Sequence, residues 1–468
     1  MSLKYNLNLI NNNYILYNIY KLKVGDTMKQ QKYGLFTTIA MIVGIVIGSG
    51  IFFKSDNVLV YTNGNIFLGI LVFVIAAFSI IFGSLSVSEL ASRTDEAGGI
   101  ITYCETFWNK STACAYGWFQ TFVYYPTIIC VVAWVSGIYI AMLFGINSTL
   151  EIQVLIGMAV ITVIYAVNLF SYKIGAYFQN ASTVIKIIPL VIIAAAGIIF
   201  GNPLPVLKND ITAASGAGLS WVAAIGPIAF SFDGWIISTS IGHEIKNSKR
   251  NLPLALVISP IIVLTIYVLY FMGISSFLGS DVVMAMGDEH VNEVALRLFG
   301  EMGAKLILVF IVISVLGTVN GVVTGMIRLP YSLSIRNMFP ASSKYEVISD
   351  KYNVPVKSGI LTYIINIVWM VIHYITQKYN FLPNSDVSEI SIVINYMGFI
   401  LMYIAVINLT RHGEIRNKFK GYVVPILAIM GSMFILYGGM QNPLFKYYVL
   451  FCAAVIITAL IYYKYKKA

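Results

Sequence analysis

The sequence predicts an all-α integral membrane protein of twelve transmembrane helices, arranged as five plus five plus two. Three observations predict it: composition, the lengths of the uncharged runs, and two matched helix breaks. Of the 468 residues, 58% are hydrophobic and only 11% charged. Soluble domains are about 45–50% apolar and about 25% charged. That gap excludes a soluble enzyme, a disordered chain and a secreted disulfide scaffold. The net charge of +10 would suggest nucleic acid in a soluble protein. In a lipid-embedded chain the location of the charges matters more than their sum.

A membrane helix needs roughly 20 apolar residues to cross about 30 Å of hydrocarbon. Cut at its charges, the chain leaves twelve long runs. They lie near 34–53, 66–88, 113–144, 153–170, 176–200, 219–241, 253–279, 303–328, 357–377, 387–409, 422–441 and 444–463. Each reads as a helix, because lipid offers no partner for free backbone groups. The alternating pattern of a membrane barrel is absent. The runs group as a first five-helix repeat (33–200), a second (201–410), and two added helices (411–468).

Twelve spans put both termini on one side, and the positive-inside rule selects the cytoplasm. With that choice the inner segments hold 23 of the 30 basic residues and carry a net +14. The outer segments carry a net −4. Of 50 charged residues, 48 are expected near water; the exceptions are Lys186 in the fifth span and Asp233 in the sixth. The expected location is the cell inner or plasma membrane. Residues 1–32 form a cytoplasmic tail with no signal-peptide pattern. Met28 opens a compact second start, so residues 1–27 read either as a regulatory tail or as a non-native start.

The first span reads Val43-Gly44-Ile45-Val46-Ile47-Gly48-Ser49-Gly50-Ile51-Phe52. Three glycines in seven residues favour unwinding. The sixth span reads Phe230-Ser231-Phe232-Asp233-Gly234-Trp235, again with a glycine beside a polar residue at mid-depth. Matched breaks in two halves point to a substrate site. A helix restarting after Gly48 offers free N–H groups to a carboxylate. A helix ending before the break offers free carbonyls to an ammonium. Two such breaks hold an α-amino acid by both charged ends. The competing reading of Gly44 and Gly48 is a helix-packing motif.

On these residues the chain resembles the amino acid–polyamine–organocation superfamily, in its L-type amino acid transporter branch. Ile47-Gly48-Ser49-Gly50-Ile51-Phe52 is similar to the family's first-helix signature. Phe230 to Trp235 is similar to its sixth-helix motif, with Ser231 in place of a common Ala. The loop Glu244-Ile245-Lys246-Asn247-Ser248-Lys249-Arg250-Asn251-Leu252-Pro253 resembles the family's loop, except that Ser248 replaces Pro and His243 a common Glu. Gly317-Thr318-Val319-Asn320-Gly321 in the eighth span also matches. The resemblance implies a LeuT-type inverted repeat, in accord with five plus five plus two.

It also assigns roles. Lys186 stands where sodium sits in sodium-coupled relatives, tethering the fifth helix to carbonyls near Gly44 and to the eighth helix. A lysine inside lipid needs such a partner. If its ammonium releases a proton, the protein couples protons; if it stays charged, the protein exchanges substrates, which the resemblance favours. Phe230 resembles the aromatic that closes over substrate. Ile47, Gly48, Ser49, Gly50, Ser231, Asp233 and Gly234 form the expected binding set. Tyr124, Tyr125 and Pro126 are pocket neighbours or packing residues. Asp233 has three readings: a partner of Lys186, a cap on the resumed sixth helix, or a group facing the substrate side chain. Trp235 is expected to pack near the site. Asn320 bonds across helices or lines the site. Glu89 forms an inner-gate or structural ion pair.

No acid pair, His cluster or nucleophile stands at one depth, so a membrane enzyme is disfavoured. No phosphate loop supports a nucleotide-driven pump, and no continuous polar lining supports a channel. One intramembrane Asp and no deep Arg favour neutral amino acids, serine and threonine first. The expected partners are the amino acid substrate and the bilayer, with no nucleic acid, metal or cofactor. Oligomeric state stays open; without an extracellular Cys, a disulfide-linked partner subunit is not expected.

Overall fold

The computed structural model describes residues 33–467, except 49, 95–97, 217, 238, 240–244 and 383–384. The tail and Met28, Ser49, and the His243–Glu244 part of the loop therefore lie outside the described residues. Among those described the chain is helical throughout its core, with one isolated β-bridge between Tyr33 and Ile245. Eleven helices have the length and apolarity to cross a membrane. The twelfth crossing is the first span, divided into Leu35–Val46 and Gly50–Phe53. Its 12-residue half is about 18 Å long at 1.5 Å per residue, too short to cross alone.

Most of the unbroken spans run longer than their apolar cores. The second is Ile66–Ala91, the fourth Leu150–Phe170, the fifth Tyr172–Gly201 and the seventh Ser248–Leu278. The ninth is Val356–Lys378, the tenth Glu389–Arg411 and the twelfth Phe445–Lys467. The third joins Lys110–Phe119 to Tyr125–Phe144 through a π-helical turn, Gln120–Tyr124. The eleventh enters Val424–Met440 through a similar turn, Phe419–Val423. The eighth, His290–Ser334, contains 45 residues, about 67 Å if straight. It is interrupted at Gly300, whose φ of 66° is non-helical. The uncharged run near 303–328 lies in the part after Gly300.

Short helices outside the twelve runs are Ser55–Tyr61, Ile100–Phe107, Pro203–Ala214, Ser280–Met286 and Ser342–Tyr345. Uncharged-run analysis misses these, because they are too short to span. Packing between spans uses small residues, as expected where lipid competes equally for apolar side chains. The fifth and seventh spans meet at Gly197 and Gly273, where a Cβ on Gly197 would lie 2.4 Å from the Gly273 carbonyl. The two broken helices are enclosed by the second, fifth, seventh, eighth, tenth and eleventh spans.

Candidate functional site

The first half-helix ends at Val46, and Ile47 turns to extended backbone (ψ 98°). Its last carbonyls thus lack helical partners. The Lys186 ammonium, fully buried, donates to the carbonyl oxygens of Gly44 and of Ile47 (2.7 Å). It also donates to Thr318 Oγ1 in the eighth span, at 3.1 Å. An ammonium has three protons, and three acceptors surround it. Side chains have no room at this crossing: a Cβ on Gly44 would lie 2.0 Å from Thr183 Oγ1.

The sixth span begins as a 3₁₀ turn, Ser220–Ala224, continues as Ile225–Ser231, and breaks at Phe232-Asp233-Gly234. Gly234 has φ +91°, a conformation that L side chains rarely adopt. Both carboxylate oxygens of Asp233 accept from Tyr124 Oη, at 2.8 Å each. Tyr124 closes the π-turn of the third span; such turns recur at functional sites. Asp233 does not pair with Lys186, whose protons go to the first-helix carbonyls and Thr318. That reading of Asp233 is corrected: its carboxylate accepts from Tyr124, and Lys186 bonds the first-helix carbonyls and Thr318 instead. Tyr124→Phe leaves a buried carboxylate short of a donor, at about 1–3 kcal/mol. A melting temperature lowered by several degrees in detergent is expected; an unchanged value would show that the bond carries no weight.

A small, partly open cavity lies between the breaks. It is lined by Gly48 and Gly50, by Phe230, Asp233 and Gly234, and by Ile45 and Val46. Ile128, Val132, Thr318 and Val322 complete the wall. The expected residues Ile47, Ser231 and Tyr124 lie behind this lining. Ile47 supplies its carbonyl to Lys186, and Ser231 presses against Gly50, where a Cβ would lie 2.6 Å from Ser231 Cα. Trp235 is buried, its ring 5.4 Å from that of Phe399. Asn320 lies away from the cavity. It accepts from Asn168 (2.8 Å) and donates to the Gly175 carbonyl (3.0 Å) and Gln179 (3.1 Å), joining three spans.

Sequence reasoning missed a buried ion pair, over the cavity. Lys54 Nζ, just after the first span, lies 3.0 Å from Asp386 Oδ2, just before the tenth. Their side chains are both about 95% buried, so among the described residues four Asp, Glu, Lys or Arg side chains rather than two are kept from water. Burial works against the Lys54 ammonium, but the charges of Asp386 and Glu389 outweigh it and raise its pKa. Burial also pushes the Asp386 carboxyl up; the Lys54 ammonium and the Ser388 hydroxyl outweigh it and hold it below the ordinary range. Both groups are charged at neutral pH. Lys54 Nζ sits 5.6 Å from the centre of the Phe230 ring, which lines the cavity beneath. No local pattern announces a pair 332 residues apart.

At the opposite end, Glu89 meets Arg93 at 3.1 Å and Lys420 at 3.5 Å. Arg336 meets Glu105 at 2.6 Å. The Tyr33 carbonyl, at the start of the first span, accepts from the Lys246 amide beyond the sixth, at 2.9 Å. Among the described residues no group of His, Cys, Asp or Glu is arranged to hold a metal ion. The four cysteines are buried and free.

Among solved structures, MhsT in complex with L-phenylalanine superposes with a TM-score of 0.60, covering 86% of this chain and 98% of that one. At 13% identity this likeness establishes the fold alone. The serine/threonine exchanger SteT of Bacillus subtilis is 28% identical over 420 residues, covering 88% of this chain and 91% of the relative. The mouse b(0,+)-type amino acid transporter 1 is 27% identical over 454 residues, covering 93% and 88%. The sequence profile described as amino acid permease matches residues 33–464, nearly the whole chain. The chain with two broken helices and a lysine seated at the first break belongs to the amino acid permease family.

Proposed function

We propose that this permease exchanges neutral L-amino acids across the membrane by alternating access, with serine and threonine as the leading substrates. The observation that carries this reading is the pair of facing breaks around one cavity, with Lys186 fixed on the first-break carbonyls. A fixed cation there takes the place of a transported ion, so substrate drives substrate. Backbone N–H groups after Gly48 suit the substrate carboxylate, and half-helix carbonyls suit its ammonium. Asp233, oriented by Tyr124, is the polar group for a side-chain hydroxyl. Phe230, with the Lys54–Asp386 pair above it, is the outer closure, and the Glu89 and Arg336 pairs belong to the inner one. The likeness to a relative named for serine/threonine exchange supports the substrate class.

The breaks then belong to two repeats, 33–200 and 201–410, followed by helices eleven and twelve in 411–468. They rock against a scaffold of the third, fourth, eighth and ninth spans. The charge asymmetry of +14 against −4 supports cytoplasmic termini in the cell membrane. The test is counterflow in proteoliposomes. Vesicles loaded with unlabelled L-serine are expected to take up labelled L-threonine several-fold faster than empty ones, and a proton ionophore leaves that uptake unchanged. Uphill uptake under an imposed pH gradient makes the protein a proton symporter instead. No response to any amino acid overturns the transport reading.

A further inference from the structure

A line of buried hydroxyls between the third and tenth spans joins the outer ion pair to the sixth-helix break. One carboxylate oxygen of Asp386 accepts from Lys54. The other accepts from the backbone N–H of Ser388 at 2.9 Å and from the Ser388 hydroxyl, an Asx-type turn that opens the tenth span. Ser391 Oγ lies 3.1 Å from the Ser388 carbonyl oxygen and 2.7 Å from Thr127 Oγ1 of the third span. Thr127 Oγ1 lies 2.9 Å from the Val123 carbonyl oxygen and 3.0 Å from that of Tyr124. Tyr124 in turn holds the Asp233 carboxylate. Thr127, Ser388 and Ser391 have no exposed surface.

Hydroxyls buried this deeply need partners, and bonding across helices supplies them in lipid. Two features set this joint apart. Each end leads to a buried carboxylate, Asp386 in the outer closure and Asp233 at the break. The joint also has two settings, because two hydroxyls hold two protons. With Ser391 donating to the Ser388 carbonyl, Thr127 donates to Ser391. With Thr127 donating to the Val123 or Tyr124 carbonyl, Ser391 donates to Thr127. Both settings keep the helices bonded. The third span belongs to the scaffold proposed above, whereas Asp386 sits on the turn that starts the tenth. Anchoring that turn on the third span keeps Asp386 against Lys54, above Phe230.

We propose that Thr127 and Ser391 are positioning residues that hold the outer closure shut: their bond is made when Lys54 and Asp386 meet and is broken when the outer side opens. This rests on the alternating-access reading above and adds the joint that ties the closure to the scaffold. The pair acts through Ser388 and Asp386 at one end and Tyr124 at the other.

The test is Thr127→Val in the full-length protein, which keeps the branched shape and removes the hydroxyl. KM for labelled L-serine is measured from each side, in right-side-out and inside-out membrane vesicles. The external side is that of Lys54 and Asp386 in the orientation above. Losing a bond made only in outer-closed states raises the share of outward-open protein, and apparent affinity on each side scales with the share open to it. The ratio of internal to external KM is therefore expected to rise about three- to tenfold, the effect of one neutral hydrogen bond. Ser391→Ala is expected to give the same rise, and the double variant no more than either single, since all three cut one bond. Thr127→Ser keeps the hydroxyl and is expected to restore the wild-type ratio. The control is Ser136→Ala: this third-span hydroxyl, also buried, donates to the Ala133 carbonyl of its own helix at 2.6 Å, and its loss should leave the ratio unchanged. An unchanged ratio in Thr127→Val, or effects of the two single variants that add in the double, overturns the proposal. If one single variant fails to fold, the other decides; failure of both overturns the proposal, because the pair then serves the fold alone. A wild-type protein that responds to no amino acid fails the transport reading instead, and the two failures are distinguishable.

Discussion

Replacing Lys186 with alanine reduces amino acid exchange in proteoliposomes by at least about a hundredfold. The ammonium bonds two first-helix carbonyls and Thr318 in a fully buried position. Hydrogen bonds to a charged group are worth about 1.5–3 kcal/mol each. Losing two exceeds 2.7 kcal/mol, and each 1.36 kcal/mol is tenfold in rate. The damage is directed: the Gly44 and Ile47 carbonyls lose the cation that orients them, so the break no longer holds its shape. Lysine is also the residue of the right size, because its Nζ already lies 3.8 Å from where a Cβ on Gly317 would be. A guanidinium is larger and planar, so Lys186→Arg is expected to fail nearly as badly. Near-normal exchange in Lys186→Ala, measured with labelled serine at equal protein content, would end the assignment of this lysine as the fixed ion.

The second large effect comes from Gly50→Ala. A Cβ there would lie 2.6 Å from Ser231 Cα and 2.8 Å from Ser231 Oγ. The first obstacle is backbone, which cannot rotate away as a side-chain tip does. One methyl group therefore separates the resumed first helix from the sixth-helix break and widens the cavity between them. Exchange should fall at least about tenfold, in the range of overpacking costs of about 1–3 kcal/mol. Gly34→Ala is the matched control, because nothing lies within 4 Å of a Cβ at that position. Equal loss in both variants would mean that glycine content, not the contact with Ser231, governs transport.

Much of this architecture was legible in the chain. Span positions follow from the solvent: lipid imposes length and apolarity on every crossing, and charges mark where crossings stop. Both breaks were legible for a similar reason, since glycines at mid-depth weaken helices locally. Asp233 shows where legibility ends. Two opposite intramembrane charges invite pairing, but charge does not specify direction. The π-turn at Gln120–Tyr124 aims Tyr124 at Asp233, while Lys186 reaches the first-helix carbonyls.

Lys54 and Asp386 show the complementary limit. Each sits just beyond an apolar run, where a charge is ordinarily solvated, and so each reads as an outer-loop residue. Burial arises only when the first span's second half, the tenth span and Phe230 converge. Thr127 and Ser391 were equally silent, two hydroxyl side chains 264 positions apart. Asn320, by contrast, had two open readings, and packing against Asn168, Gly175 and Gln179 selected the cross-helix one.

By itself, then, the sequence determined the solvent, the number of crossings, the two places where helices break and the residue types that face those breaks. These are properties of short windows: apolar length, charge and glycine content act within about 20 residues. Tertiary structure alone decided which charge meets which partner, which polar side chain reaches the cavity, and which hydroxyls join the third and tenth spans. Those outcomes depend on contacts between residues up to 332 positions apart, and no local propensity encodes the direction in which a buried side chain must point.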